Sequence, residues 1–161
     1  MAALHVACWR EAYRGIVPDA ILDTVDMAER ENIWNGILTA SDNFVEAAFR
    51  DGVPVGFITA SENRDPAVLE ADGHVRAIYV LARAQRQGIG RRLMADAAVW
   101  WLNKGGRALG LGVLSGNARA MAFYDALGGR ITRRGTYAWR GHDLPDASYV
   151  FENLGALAAL A

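Results

Sequence analysis

Two glycines at the junction of a strand and a helix constrain this chain more than any other feature. Residues 74–81 are mostly β-branched, aromatic and aliphatic and contain no glycine or proline, which predicts a central strand. The segment Gln85-Arg86-Gln87-Gly88-Ile89-Gly90 interrupts this pattern, and apolar residues then recur at helical spacing. A glycine loop that opens a helix presents free backbone amides and a partial positive charge. The segment therefore predicts a cradle for a phosphate group.

The loop is basic and differs from two common nucleotide-binding motifs. No acidic residue lies between Arg83 and Arg92. A P-loop requires Gly-Lys-Ser/Thr, which is missing, and a dinucleotide fingerprint requires a third glycine where this chain has Leu93. The pattern that remains is Gln/Arg-x-x-Gly-x-Gly/Ala, and we interpret it as a pyrophosphate cradle. The flanking arginines are Arg83, Arg86, Arg91 and Arg92.

A second segment, residues 113–129, supports a specific family resemblance. It reads VLSGNARAMAFYDALGG, in which Asn117 suits a helix N-cap and Gly128 suits a helix stop. Together with the glycine loop, it resembles the GNAT superfamily of acyl-CoA N-acyltransferases, whose members carry V-x-x-x-N-x-x-A-x-x-F-Y-x-x-x-G at this distance. The resemblance runs from about residue 4 to residue 154.

The resemblance implies an α/β (α+β) fold in a single domain, residues 1–161. The expected sheet is mixed and mostly antiparallel, with splayed central parallel strands and helices on both faces. The patterns predict helices over residues 3–14 and 26–38, a helical turn at 19–25, and a hairpin at Asp51-Gly52. Strands are predicted at Phe44–Arg50, Val53–Glu62, 107–114, 130–139 and 148–151, and the tail 154–161 is expected to fray or to pack on a partner. The inward side chains of the second helix are predicted to be Ile33, Trp34, Ile37 and Leu38.

One feature departs from the family pattern. GNAT proteins begin with a strand, whereas this sequence opens almost inside the first helix. We therefore expect the sheet to lack the family's first strand. The consequence is an open edge at Phe44–Arg50, where a second copy of the chain could pair to form a homodimer.

The resemblance also implies acetyl-CoA as the acyl donor, with no metal. The pantetheine is expected to run beside the central strand, and a backbone N–H near Val80 to bind the oxyanion. The residues expected to contact acetyl-CoA are Ile78, Tyr79, Val80, Gln85, Arg86, Gln87, Gly88, Ile89, Gly90, Arg91, Asn117 and Tyr124.

Three further assignments follow from matched positions. Tyr124 occupies the place of the family's tyrosine acid, and His74 the place where many relatives carry a strand glutamate. A histidine titrates near neutral pH and could accept the ammonium proton, although water could do the same. Each residue also has a purely structural reading, as packing in the core or on the surface. Trp9, Tyr13 and Arg14 are expected to line the acceptor pocket.

Composition narrows the setting and the partners. The chain has 16 arginines and a single lysine; residues 1–72 hold 5 basic and 13 acidic groups, and residues 73–161 hold 12 and 5. A polyphosphate fits the basic half, and a cationic amine could be drawn to the acidic half. The sequence contains no nucleic-acid motif and no apolar run of membrane length, so we expect neither a nucleic acid nor a membrane as partner. It also shows no signal peptide, and its single cysteine, Cys8, suits a reducing compartment, so we expect a cytoplasmic setting. The expected substrate is a small-molecule primary amine. The alternatives are a protein or peptide amine and a non-catalytic acyl-CoA sensor.

Overall fold

The structure is a computed structural model that describes residues 1–64 and 70–161. Within these residues six strands form one sheet in the order β1-β2-β3-β4-β6-β5. The strands are β1 (Phe44–Arg50), β2 (Val53–Glu62), β3 (Gly73–Val80), β4 (Leu109–Leu114), β5 (Arg130–Trp139) and β6 (His142–Phe151). The helices are α1 (Ala2–Tyr13), α2 (Asp19–Leu22), α3 (Met27–Thr39), α4 (Ile89–Asn103), α5 (Ala118–Ala126) and α6 (Leu154–Ala158). The polar sequence of residues 63–73 predicts a loop, and residues 65–69 of that segment lie outside the described residues.

Helices cover both faces of the sheet, as predicted. On one face, residues of α4, α5 and α6, among them Leu93 and Leu154, pack into the largest apolar cluster with Tyr149 of β6. On the other face, Cys8 of α1 and Trp34 of α3 pack against β2. Because strand side chains alternate between faces, each central strand supplies both cores.

The two central parallel strands splay apart, which confirms the predicted geometry. β3 and β4 are parallel, whereas every other neighbouring pair is antiparallel. The β3–β4 ladder consists of two pairs, Gly73 with Leu109 and His74 with Gly110. The register between β2 and β3 shifts immediately afterwards, which leaves Arg76 as an extra residue. Such a bulge bends a strand, so β3 turns away from β4 and a gap opens between them.

Asp72 fixes the closed end of this gap. Its carboxylate accepts hydrogen bonds from the Trp101 indole at 2.8 Å and from the amides of Arg107 and Ala108 at 3.0 and 2.9 Å. Burial alone raises the pKa of Asp72, but these hydrogen bonds favour the charged form and lower it overall. The carboxylate thereby ties the end of α4 and the start of β4 to the start of β3.

The beginning of the chain agrees with the expectation of a missing first strand. Residues 2–13 are helical, and β1 is the outermost strand on its side of the described sheet. Pairing of this edge with a second copy remains a prediction.

Two predictions about the C-terminal part were wrong. The tail does not fray, because Asn153 caps α6 through the amide of Ala156 and Leu154 and Leu157 are buried in the main core. β6 begins at His142 rather than at residue 148, because the turn is confined to Arg140 and Gly141, whose φ angles are +48° and +79°. Two consecutive positive φ angles suit a tight hairpin. No helix in the described part of the chain is long and apolar enough to cross a membrane.

His5 should make the stability of the protein sensitive to acid. It is buried, and its Nδ1 accepts a hydrogen bond from the Trp34 indole at 3.2 Å. Burial, and secondarily the charge of Arg30, lowers the pKa of His5 to about 4. The unfolded chain takes up this proton below about pH 6.5, whereas the folded chain does not. The contribution of neutral His5 to the free energy of unfolding is therefore complete above about pH 6.5. About 3 kcal/mol of this contribution is lost as the pH falls towards 4.

Denaturant unfolding of the wild type and of His5→Asn at pH 7, 5.5 and 4.5 measures this effect. The asparagine retains an acceptor for Trp34 but cannot be protonated, so the variant should lose less free energy of unfolding over this range. Carboxylates titrate in both proteins, and the difference between the two curves therefore isolates His5. Parallel curves would contradict the assignment.

Candidate active site

The gap between β3 and β4 is open to solvent in the middle of the sheet. Ile78, Tyr79 and Val80 are only half-buried although β3 is a central strand. Across the gap Gly112 is exposed, and a Cβ built on it would meet nothing within 4 Å. Ligands commonly bind where the carboxyl ends of parallel strands diverge. This gap is therefore the candidate site.

The glycine loop presents the start of α4 to the mouth of the gap. Gly88 is the N-cap residue of α4 and has a left-handed backbone with φ of +82°. The amide of Arg92 donates to the Gly88 carbonyl at 3.0 Å, and no side chain caps the helix. The amides before Arg92 consequently have no acceptor within the helix and suit an anion.

The two glycines of the loop serve different purposes. Gly88 supplies the positive φ, whereas Gly90 allows the close approach of α5, because a Cβ at Gly90 would lie 3.2 Å from the Phe123 ring. Gly90 was predicted as a phosphate-contacting residue. That contact stays a prediction, and the structure gives Gly90 a packing role.

Hydrogen bonds brace the loop. Gln85 donates through Nε2 to the Val80 carbonyl at 2.8 Å, and Gln87 accepts from Arg50 of β1. Arg86 has a positive φ of +61°, which is uncommon outside glycine. Ile89, the first residue of α4, is half-buried and packs on the main core. The exposed arginines around the loop are Arg83, Arg86, Arg91 and Arg92.

Helix α5 begins on the opposite side of the gap. As predicted, Asn117 is its N-cap, and the Asn117 Oδ1 accepts from the amide of Ala120 at 3.1 Å. Tyr124 lies about two turns further on. It is 7% exposed, and its ring packs against Tyr149 and Phe151 at centroid distances of 5.4 and 6.3 Å.

Phenols from three elements converge at the gap. The hydroxyl groups of Tyr13 on α1 and Tyr79 on β3 are hydrogen-bonded at 3.2 Å. Burial raises the pKa of Tyr124, and the nearby Tyr13 and Tyr149 raise it further. Burial also raises the pKa of Tyr79, with contributions from Tyr13 and Tyr124. Burial raises the pKa of Tyr13 as well, so all three phenols stay protonated near neutral pH.

His74 lies at the closed end of the gap. It pairs with Ser61 of β2 and Gly110 of β4 and is 7% exposed. Tyr79 follows five residues later, roughly 16 Å along an extended strand and less across the bulge. A proton passing between His74 and the phenols would need intervening water.

Aromatic side chains form a wall on the α1 side of the gap. Trp9 packs against Tyr13 and Trp139 at centroid distances of 4.6 and 4.8 Å, and all three rings are half-buried. Arg14, predicted to join them, is exposed and forms an ion pair with Asp19 at 3.6 Å. We call Trp9, Tyr13 and Trp139 the aromatic wall.

Contacts from α1 and the loop after it bridge both sides of the open end. Glu11 accepts from the amide of Ala82, just after β3, at 2.7 Å. Gly116, just after β4, is so close to Ile16 that a Cβ would lie 2.7 Å from the Ile16 side chain. The wall is therefore held against both diverging strands.

The sequence interpretation missed two residues near the gap, Trp139 and Asp146. Both belong to the β5–β6 hairpin, whose second strand was predicted to begin too late. The alternation of Asp146, Ser148 and Val150 with Ala147, Tyr149 and Phe151 was the available signal. Among the described residues no cluster of three or more His, Cys, Asp or Glu could hold a metal ion.

Comparisons with known proteins agree with this geometry. The family model described as Acetyltransferase (GNAT) family matches residues 5–128. YuaI, an uncharacterized N-acetyltransferase of Bacillus subtilis (strain 168), is 28% identical over 165 residues, which cover 99% of this chain and 90% of YuaI.

Solved structures of similar fold include a GCN5-related N-acetyltransferase from Rhodopseudomonas palustris, with a TM-score of 0.71, 19% identity and coverage of 94% of this chain and 86% of that one. The PaiA N-acetyltransferase from Thermoplasma acidophilum, in complex with coenzyme A, gives a TM-score of 0.69, 20% identity and coverage of 93% and 91%. At these identities the likeness concerns the fold alone.

Proposed function

Since the chain belongs to the GNAT acetyltransferase family, we propose that it transfers an acetyl group from acetyl-CoA to a primary amine of a small molecule. The amine attacks the thioester directly while both substrates are bound. The observation that carries this proposal is the gap between the parallel strands β3 and β4, which lies beside the uncapped start of α4.

The donor would enter from the glycine loop. In this proposal the amides at the start of α4 and the surrounding arginines bind the pyrophosphate of CoA, and the pantetheine pairs with the backbone of Ile78–Val80. A backbone N–H near Val80 donates to the oxyanion of the tetrahedral intermediate. The uncapped helix start and the half-buried central strand support these placements.

The proton balance assigns a role to Tyr124. As the C–N bond forms and the C–S bond breaks, Tyr124 donates its proton to the departing sulfur. Since burial raises the pKa of Tyr124, the phenolate is short-lived and regains a proton. The ammonium formed by the attack loses one proton, which passes first to the base and then through the solvent in the gap to the phenolate, so that the step is balanced.

In this proposal His74, acting through water, accepts the ammonium proton, and solvent alone is the alternative. If His74 is the base, His74→Ala should shift or flatten the acidic limb of the pH–rate profile, because that limb reports protonation of the base. The measurement is kcat/KM from pH 5.5 to 9 for both proteins. An unchanged acidic limb would leave solvent as the acceptor of the proton.

A panel of primary amines tests the function itself. Purified protein is incubated with acetyl-CoA and each amine, free CoA thiol is measured, and mass spectrometry identifies the acetylated product. The small-molecule proposal expects amine-dependent CoA release with simple amines. If only lysine-containing peptides or proteins are acetylated, the acceptor class is wrong; if acetyl-CoA binds but no amine reacts, the protein acts as a sensor.

A further inference from the structure

We infer that Asp146 binds a second positive charge of the acceptor, so that the preferred acceptors are diamines or amines with another cationic group. The inference rests on the proposed function and extends it by naming the acceptor class. Its basis is a buried carboxylate on β6, beside the aromatic wall, that is only partly neutralised.

Asp146 is buried but incompletely paired. It is 8% exposed, and Arg133 of β5 donates to its Oδ2 at 3.4 Å. This is a long bond from a side chain that is 44% exposed. The other oxygen, Oδ1, is buried and has no hydrogen-bond partner within the described part of the chain. Burying a carboxylate is costly unless it is paired, so the site lacks a cation that a ligand would supply.

Strand register places Asp146 on the acceptor face of the sheet. It pairs with Leu114 of β4, and residues directly opposite in an antiparallel pair share a face. Leu114 and Leu144 both belong to the apolar cluster that contains the aromatic wall. Two residues further along β6, Ser148 faces the same side and pairs with Gly112 of β4. A Cβ built on Gly112 would meet nothing within 4 Å, so there is open space next to this pair. The carboxylate therefore lies on the side of the sheet that borders this space, with Oδ1 close to Gly135 of β5, where a Cβ would lie 3.2 Å away.

The surroundings suit a cation in two further ways. Aromatic faces attract ammonium and guanidinium groups, and the Arg140 guanidinium already lies 5.5 Å from the Trp139 ring. The α1–α3 region that covers this face, residues 2–39, contains 3 basic and 6 acidic groups, a net charge of −3. Such a surface would draw cationic acceptors towards the gap.

Spacing indicates a second charge rather than the reacting amine. β6 lies two strands from β3, which is at least about 10 Å, because two usual strand separations give that distance and β3 and β4 diverge at this end. In the proposed function the thioester lies beside β3, where the reacting nitrogen must be. A cationic group bound to Asp146 would then be joined to that nitrogen by a linker of at least about four or five carbons.

Calorimetry in the presence of CoA, which permits binding without turnover, provides the test. The matched probes are 1,5-diaminopentane and 1-aminopentane. The wild type should bind the diamine roughly 10- to 100-fold more tightly, the range expected for a hydrogen bond to a charged group. Equal affinities for the two probes, or no measurable binding of the diamine, would overturn the inference without the need for any variant.

Asp146→Asn should abolish the preference while its affinity for CoA, measured in the same experiment, stays close to that of the wild type. Asp143→Asn is the matched control, since Asp143 is an exposed aspartate on the same strand. It should keep the full preference. A preference that survives in Asp146→Asn overturns the inference.

Turnover separates the inference from the proposed function. Diamine binding that depends on Asp146, without acetylation of any amine, would defeat the function and leave the cation site in place. Acetylation with equal KM values for the two probes would defeat the cation site and leave the function. If Asp146→Asn instead lowers kcat for both amines, alters the acidic limb of the pH–rate profile and leaves the KM values unchanged, then Asp146 acts as a base and the inference is wrong.

Discussion

Tyr124→Phe should lower turnover roughly 100- to 10,000-fold, the usual cost of losing a general acid. The substitution removes a hydroxyl group and keeps the ring, which packs against Tyr149 and Phe151, so the fold should be preserved. Because the proton is donated in the transition state, the affinity for acetyl-CoA should be nearly unchanged. Burial raises the pKa of Tyr124, so wild-type turnover should show no loss below pH 9 from ionisation of this phenol.

The same substitution at Tyr149 provides a matched control. Tyr149 is fully buried in the same core, and its hydroxyl donates to Asp125 at 2.8 Å rather than facing the gap. Tyr149→Phe should cost stability, about 1 kcal/mol for the lost hydrogen bond, and leave turnover nearly intact. Steady-state and single-turnover kinetics with calorimetry distinguish the variants. If Tyr124→Phe retains near-full turnover while chemistry is rate-limiting, Tyr124 is not the acid.

The local features of the site could be predicted because they depend on neighbouring residues. A glycine loop that opens a helix, an asparagine cap and a tight hairpin are each determined by a few consecutive residues. Gly88 and Asn117 confirm the first two, and the positive φ angles of Asp51 and Gly52 confirm the third. The motif spacing then located both helix starts at the gap.

Features that depend on contacts between residues far apart in sequence could not be predicted from local patterns. Ile33 and Leu38 of α3 were predicted to face inward, yet they are 39% and 59% exposed. The helix contacts the sheet mainly through Trp34, which donates to His5 and packs against Phe57. Helical periodicity predicts a face but not how much of that face finds a partner.

The β5–β6 hairpin shows the same limit at the site. Residues 141–145 contain glycine, histidine, aspartate and proline, which locally resemble a loop, although β6 is held there by its ladder with β5. The strand extension brings Trp139 to Trp9 and places Asp146 opposite Leu114. These neighbours are far apart in sequence, so the incompletely paired carboxylate becomes visible only in the folded chain.

Gly88→Val should weaken acetyl-CoA binding roughly 100-fold, or about 2.7 kcal/mol. Gly88 has a φ of +82°, a region that β-branched residues rarely occupy, so valine will displace the loop. A Cβ at this position approaches only the Arg91 side chain, at 4.0 Å. The expected loss therefore comes from backbone strain and from the obstructed approach of the pyrophosphate, not from a clash within the folded chain.

Gly105→Val separates these causes from general destabilisation. Gly105 follows the other end of α4, has a φ of +80°, and a Cβ there would meet nothing within 4 Å. Both variants should lose similar thermal stability, because both force valine into a left-handed backbone, but only Gly88→Val should lose affinity in calorimetric titrations with acetyl-CoA. Unchanged affinity in Gly88→Val, or an equal loss in Gly105→Val, would mean that the amides at the start of α4 do not bind the pyrophosphate, and the donor would then have to enter the gap by another route.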